Sequence, residues 1–265
     1  MAQIKTSLRH AARAEMRRAL VTPRFPAAAV MVTVLWYLNA RRFNESEDVL
    51  YIVINTWGRS IVTLLEMVIA AFPYATAFSE DFEHHLLRYC ALRESVWQYT
   101  IAKMNACFLS GFAVIFVGEN LFFLEELHRL PLVAANSLAA ENFSGMNIFG
   151  SLLPSHAVSY IELQFLLDSL LVASLTCLAL ALSVWIRYRY GTFVLPFLIY
   201  FILLDVLGSA AIPKYLDITS YFLVFNSQSM TEPAGSMQLI CAFILSFVIV
   251  LLSGLLLHYK MKREL

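Results

Sequence analysis

Long apolar runs divided by short polar stretches organise the whole chain. A bilayer core is crossed by about 20 apolar residues in a helix. Six runs reach or approach that length, near residues 23–40, 58–78, 101–124, 159–185, 191–212 and 237–258. Arg24 and Arg41 bracket the first and shortest run, and their long side chains can snorkel to either surface. The stretch Val49 to Trp57 reads as an interfacial helix leading into the second run. Pro73 and Pro196 fall inside runs, where proline kinks a helix. The pattern predicts an all-α integral membrane protein in one domain, residues 1–265, with six transmembrane helices; five or seven remain as alternative counts.

Two polar segments carry their own periodicity. Ile4, Leu8, Ala12, Met16 and Leu20 recur every four residues, with Lys5, Arg9, Arg13 and Arg17 recurring beside them. Residues 1–22 therefore predict a basic amphipathic helix suited to an anionic membrane surface, against the plainer alternative of a solvated helix. The stretch Phe78 to Lys103 interrupts the apolar chain between the second and third runs. Phe82, Leu86, Leu87 and Cys90 share one helical face; Glu80, Asp81, Glu83 and His84 gather at the N-terminal end; Arg88 and Arg93 follow. Acids first and bases later suit the helix dipole. This is a candidate docking helix with a charged rim, the alternative being a solvated loop between spans.

Composition agrees with the membrane class and removes others. Of 265 residues, 60% are hydrophobic and 14% charged, and the net charge is zero, with a mean hydropathy of +0.69. A soluble domain carries about 25% charged residues, and a nucleic-acid binder is basic. The four cysteines, Cys90, Cys107, Cys177 and Cys241, have neither disulfide-framework nor zinc spacing. No apolar core lies near residue 10, so no cleavable leader is expected. The 19 lysines and arginines set the orientation. With both termini inside, only Arg41, Arg42, Arg59, Arg129 and Lys214 fall outside. This predicts an N-in, C-in topology that puts Phe78 to Lys103 in the cytoplasm. Two long segments, Gly118 to Val158 and Pro213 to Ser236, then lie outside.

Ionisable residues inside the runs form a second constellation: Arg59, Glu66, Asp168 and Asp205. Glu66 sits some 12 residues from the inner end of its run, roughly 18 Å deep. A charge near mid-membrane costs about 2.5–3.5 kcal/mol on insertion scales, so such groups face protein or water. They line a translocation pathway, or they are structural, with Arg59 paired to Asp168 or Asp205 and a protonated Glu66 bonded to a neighbour; for Glu66 both readings stay open. Glu80 and His84 stand at a spacing used by zinc ligands, but no third ligand and no HExxH follow, so no metal is expected. No lysine follows a glycine, which excludes a phosphate-binding loop, and no G-x-S-x-G nucleophile elbow occurs. An intramembrane enzyme using His84 or His85 as base lacks a nucleophile to go with it. The chain is not expected to be an enzyme.

The wording around the polar stretch resembles an ABC-2 type transporter permease. The residues that carry the likeness are Pro73-Tyr-Ala-Thr-Ala-Phe-Ser-Glu80-Asp81, then Arg88-Tyr89, Arg93, Tyr99, Lys103 and Ser110-Gly111. His84 departs from it, standing where relatives often have glycine, and Cys90 stands near a small residue or proline of the pattern. The resemblance implies the membrane subunit of a bacterial exporter in the cell membrane. Two permeases, alike or different, would join two separate ATPase subunits that bind ATP and magnesium, this chain needing no cofactor. It also implies that residues 80–93 are the coupling helix, with Glu80, Asp81, Glu83, His84, Arg88 and Arg93 facing the ATPase. Residues 1–22 would be the connecting helix and Pro213 to Ser236 the re-entrant external helices. The rival expectation is an ion-coupled secondary transporter that works alone through Glu66, Asp168 and Asp205.

Overall fold

The computed structural model describes residues 2–43, 48–57, 60–84, 95–134, 137, 149–186, 189–203, 221–222 and 235–264. Among these every regular element is a helix, with no strand. The helices are α1 (Ala2–Leu20), α2 (Arg24–Ala40), α3 (Val49–Trp57), α4 (Ser60–Ala71), α5 (Ala77–Glu83), α6 (Val96–Leu127), α7 (Leu153–Leu182), α8 (Arg189–Phe201) and α9 (Gly235–Glu264).

Among the described residues, three helical stretches are long and apolar enough to cross a membrane: Val96–Leu127, Ser155–Leu182 and Met237–Arg263. The total rises to five if two bent pairs each count as one span. These are Arg9–Leu20 with Arg24–Phe43, bent by 46°, and Val49–Thr56 with Ile61–Ala71, bent by 76°. The expectation of six is met only to this extent. In α8 the apolar stretch Gly191–Phe201 is shorter than a span, and residues 204–212 of the expected fifth run lie outside the described residues.

Local chemistry explains the breaks. The expected run 58–78 is divided, because α4 stops at Ala71 and α5 begins only at Ala77. Pro73 has no N–H to continue the ladder and disfavours helical geometry in the residue before it. Turn bonds from Phe72 N to Ile69 O (3.1 Å) and from Ala77 N to Tyr74 O (2.9 Å) bridge the gap. Pro23 separates α1 from α2. Ser95 starts α6 with a capping box: its hydroxyl accepts from Gln98 N, and the Gln98 side chain accepts from Ser95 N. Asp48 caps α3 through Tyr51 N (2.7 Å) and also accepts from Ala134 N (3.3 Å). The segment after α6 is thereby tied to the start of α3.

Helices α6 and α7 form the central pair, with α1 and α2 against α6, α9 against α7, and α4 and α8 against each other. In its most apolar window α7 is 83% buried, whereas α9 is 22% buried. The outer face of α9, with Phe243, Phe247, Leu251 and Leu255 exposed, suits contact with lipid. Trp36 lies at the heart of the bundle, its ring 5.3 Å from Phe122 and 5.6 Å from Phe165. Small residues bring backbones close, as in other membrane bundles. Thr33 of α2 donates to Gly118 O of α6 at 2.9 Å. The Ser174 and Ser246 hydroxyls bond each other between α7 and α9.

Candidate functional site

Among the described residues, most of the buried charge gathers in two places. The first is a knot at one end of the bundle, where α1, the start of α2, α5 and the first turns of α6 meet. Glu80 and Asp81 point inward from α5. Arg18 binds Asp81 Oδ1 through Nη1 (2.6 Å) and Glu80 Oε2 through Nη2 (2.8 Å). Arg24 takes the other Glu80 oxygen at 2.7 Å. Lys103, fully buried, reaches Asp81 Oδ2 at 2.8 Å and Glu15 Oε1 at 3.2 Å. Tyr99 donates to Asp81 at 2.8 Å, and Tyr74 donates to Glu15 at 2.5 Å. The ammonium of Lys103 also lies over the Tyr99 ring, 4.9 Å from its centroid. Three cations meet three carboxylates, which is the condition for holding charge in a dry site.

The electrostatics follow from this pairing. Burial would raise the pKa of Glu80, but Arg24 and Arg18 outweigh it and hold it at about 2. Burial acts on Asp81 in the same direction and is likewise overcome by Lys103 and Arg18, so its pKa is lowered. Burial would lower that of Arg18, and Asp81, Glu80 and Glu15 together raise it. A cavity of about 200 Å³ opens beside the knot, lined in part by Arg18, Pro23, Arg24, Tyr74 and Glu80. The arginines therefore have access to solvent while Lys103 does not.

The second place lies within the bundle. Glu66 of α4, Glu119 of α6 and Asp168 of α7 are each fully buried, with one carboxylate oxygen from each lying within 4.8 Å of the others. The Trp36 indole N–H donates to Glu66 Oε1. Neither oxygen of Glu119 meets a hydrogen-bond donor among the described residues, and Glu66 Oε2 meets none either.

The residues singled out in the sequence thus separate. Glu80 and Asp81 are turned into the chain, so their charge is met internally, while Glu83 and His84 are exposed at the end of α5. Glu66 and Asp168 come together. Arg88, Arg93, Arg59 and Asp205 lie outside the described residues. The sequence reading missed Glu15 and Glu119 as site residues, and it missed Arg18, Arg24 and Lys103 as internal partners. Glu119 carried the same signal as Glu66, an acid within an apolar run, but it stood close to the expected end of its span. Against protein-family models, curated proteins and solved structures, the chain finds no match.

Proposed function

We propose that this chain is the membrane subunit of an ABC-2 type transporter, moved by a separate ATPase that docks at the end of the bundle holding α1 and α5. The observation that carries the proposal is the convergence of the motif residues. Tyr74, Glu80, Asp81, Tyr99 and Lys103, which carried the family likeness in the sequence, meet in one neutral, buried knot. That knot ties the short helix α5 to α1, α2 and α6 by charge-assisted bonds. A push on the exposed tip at Glu83 and His84 would pass to three other helices instead of being absorbed by a loose loop. In this reading six spans run N-in and C-in through the bacterial cell membrane. Two permeases pair with two ATPases, and ATP closure rocks the helices to expel substrate.

The test uses the full chain co-expressed and purified with candidate ABC ATPase subunits. Glu83→Lys with His84→Asp should weaken ATPase binding by about tenfold or more, near 1.4 kcal/mol, and leave the melting temperature unchanged, because both side chains are exposed. Charge reversal at Glu80 or Asp81 is a poorer probe, since it breaks the knot. A wild-type chain that neither retains an ATPase nor stimulates its hydrolysis sinks the proposal.

The cluster of Glu66, Glu119 and Asp168 favours a second reading, a carrier that moves substrate on an ion gradient without an ATPase. Gradient-driven uptake into liposomes holding this chain alone would support it over the first.

A further inference from the structure

The carboxyls of Glu66, Glu119 and Asp168 approach one another from three helices, α4, α6 and α7, and each residue is wholly buried. Ionised carboxylates at this spacing in a dry interior repel one another and lose their hydration, so an uncompensated charge there is strongly disfavoured. Elsewhere the chain meets that cost with cations: the knot sets an arginine or lysine against every acid. Here, among the described residues, no lysine or arginine forms an ion pair with Glu66 or Glu119. Whatever further contact Asp168 makes, those two acids still have to be neutralised.

A second observation points to what neutralises them. Glu119 turns its carboxylate into the cluster, yet neither of its oxygens finds a donor among the described residues, and Glu66 Oε2 is in the same position. Buried acceptors without donors are rare, because each has given up its hydration without replacement. Protonating a carboxyl turns an acceptor into a donor, so one proton removes a charge and makes a bond to the next oxygen.

The surroundings distinguish a proton from a metal ion. A hard cation asks for about six to eight oxygen ligands. The rings of Phe122 and Phe165 pack on Trp36, and the Trp36 N–H donates to Glu66, a dipole that would oppose a cation at that oxygen. Among the described residues, other titratable groups on the packed helices include the buried Tyr160 of α7. Glu162 of α7 lies within 3.4 Å of Asn120 Nδ2 on α6, and Tyr200 of α8 is buried. From α2 the cluster receives Trp36, and α3 carries no charged residue.

We propose that Glu66, Glu119 and Asp168 form an intramembrane proton-binding site, which holds protons shared between α4, α6 and α7 at neutral pH and takes no metal ion. Any movement that separates these helices and admits water would release the protons. The site thus links packing of the central helices to proton uptake under either transport reading, and its test is independent of both.

Infrared spectroscopy of the full-length chain in nanodiscs tests it. At neutral pH the wild type should show the C=O stretch of a protonated carboxyl, slow to shift in heavy water. Glu66→Gln and Glu119→Gln should each remove part of that band, and the double variant most of it. Glutamine matches the shape of protonated glutamate, so each variant should melt at or above the wild-type temperature. Its melting temperature should also fall less as pH rises. Asp168→Asn provides a third variant, and the wild-type spectrum decides the central point even if a variant fails to fold. Absence of a protonated carboxyl band at neutral pH overturns the proposal. So does a melting temperature raised by sodium, magnesium or calcium alone in the wild type and not in Glu119→Gln, which would make the site a metal site.

Discussion

Lys103 illustrates how one side chain takes its role from its neighbours. It sits in the second turn of α6, fully buried, with Asp81, Glu15, Tyr99 and Tyr74 around its ammonium. Removing one partner of a buried pair strands the other, at a cost of about 3–5 kcal/mol. Lys103→Met is therefore expected to lower stability by that amount. Adding Asp81→Asn should restore part of it, as a thermal-melting cycle of the two singles and the double would show. Glu80 makes a prediction in pH. Its pKa is held at about 2 in the fold against an ordinary 4.5, so the folded state favours its charged form. The stability this contributes is complete above about pH 4.5 and is lost as pH falls towards 2. Melting followed from pH 6 to 2 should show that decline, and Glu80→Gln should flatten it. Glu80 was legible in the sequence as a charged residue at a special place. Its orientation was not, because the arginines that bind it lie 62 and 56 positions away.

Among the elements, the contact of α2 with α6 depends on a glycine. A Cβ added at Gly118 would sit 2.6 Å from Val32 Cβ and 2.9 Å from Ala29 O. Neither a branched side chain at its root nor a backbone carbonyl can yield without moving the helix. Gly118→Ala should cost about 1–3 kcal/mol, the usual range for overpacking. At Gly254 the nearest atom would be Met104 Cγ at 3.7 Å, an ordinary contact, so Gly254→Ala should be neutral or slightly stabilising. Chemical or thermal denaturation in detergent compares the two. Periodicity identified most helices: the basic amphipathic start became α1, the stretch 49–57 became α3, and the runs from 101, 159 and 237 became α6, α7 and α9. It placed the end of α4 too late, because apolarity continues through residues 72–78 while Pro73 interrupts the backbone ladder.

For the whole molecule, orientation in the membrane is the prediction to check. A His84→Cys variant in a cysteine-free background should react with an impermeant maleimide in inside-out vesicles and stay unlabelled in intact cells. Labelling from the outside would overturn the N-in, C-in assignment. The outer face of α9 offers a matching control, since Phe247→Ala removes a ring exposed on the bundle surface and should barely shift the melting temperature.

Hydropathy alone was enough to recognise a helical chain with helices fit to cross a membrane, because the water-to-lipid transfer of each apolar run depends on that run's own composition. The basic bias of the polar segments predicts an orientation without any fold, which labelling at His84 would check. Which acids meet which bases is a different kind of fact. Arg18, Arg24 and Lys103 converge on α5, and Glu66, Glu119 and Asp168 converge on one another, only because four or five helices pack with particular faces together. A period of 3.6 residues tells which side chains share a face, and it does not tell what that face will touch. Tyr74, Glu80, Asp81, Tyr99 and Lys103 are spread over 30 positions, and the fold joins them in one knot between helices. The acid cluster had no string to announce it, since its three members are 53 and 49 positions apart. Packing alone brought them within reach of a shared proton.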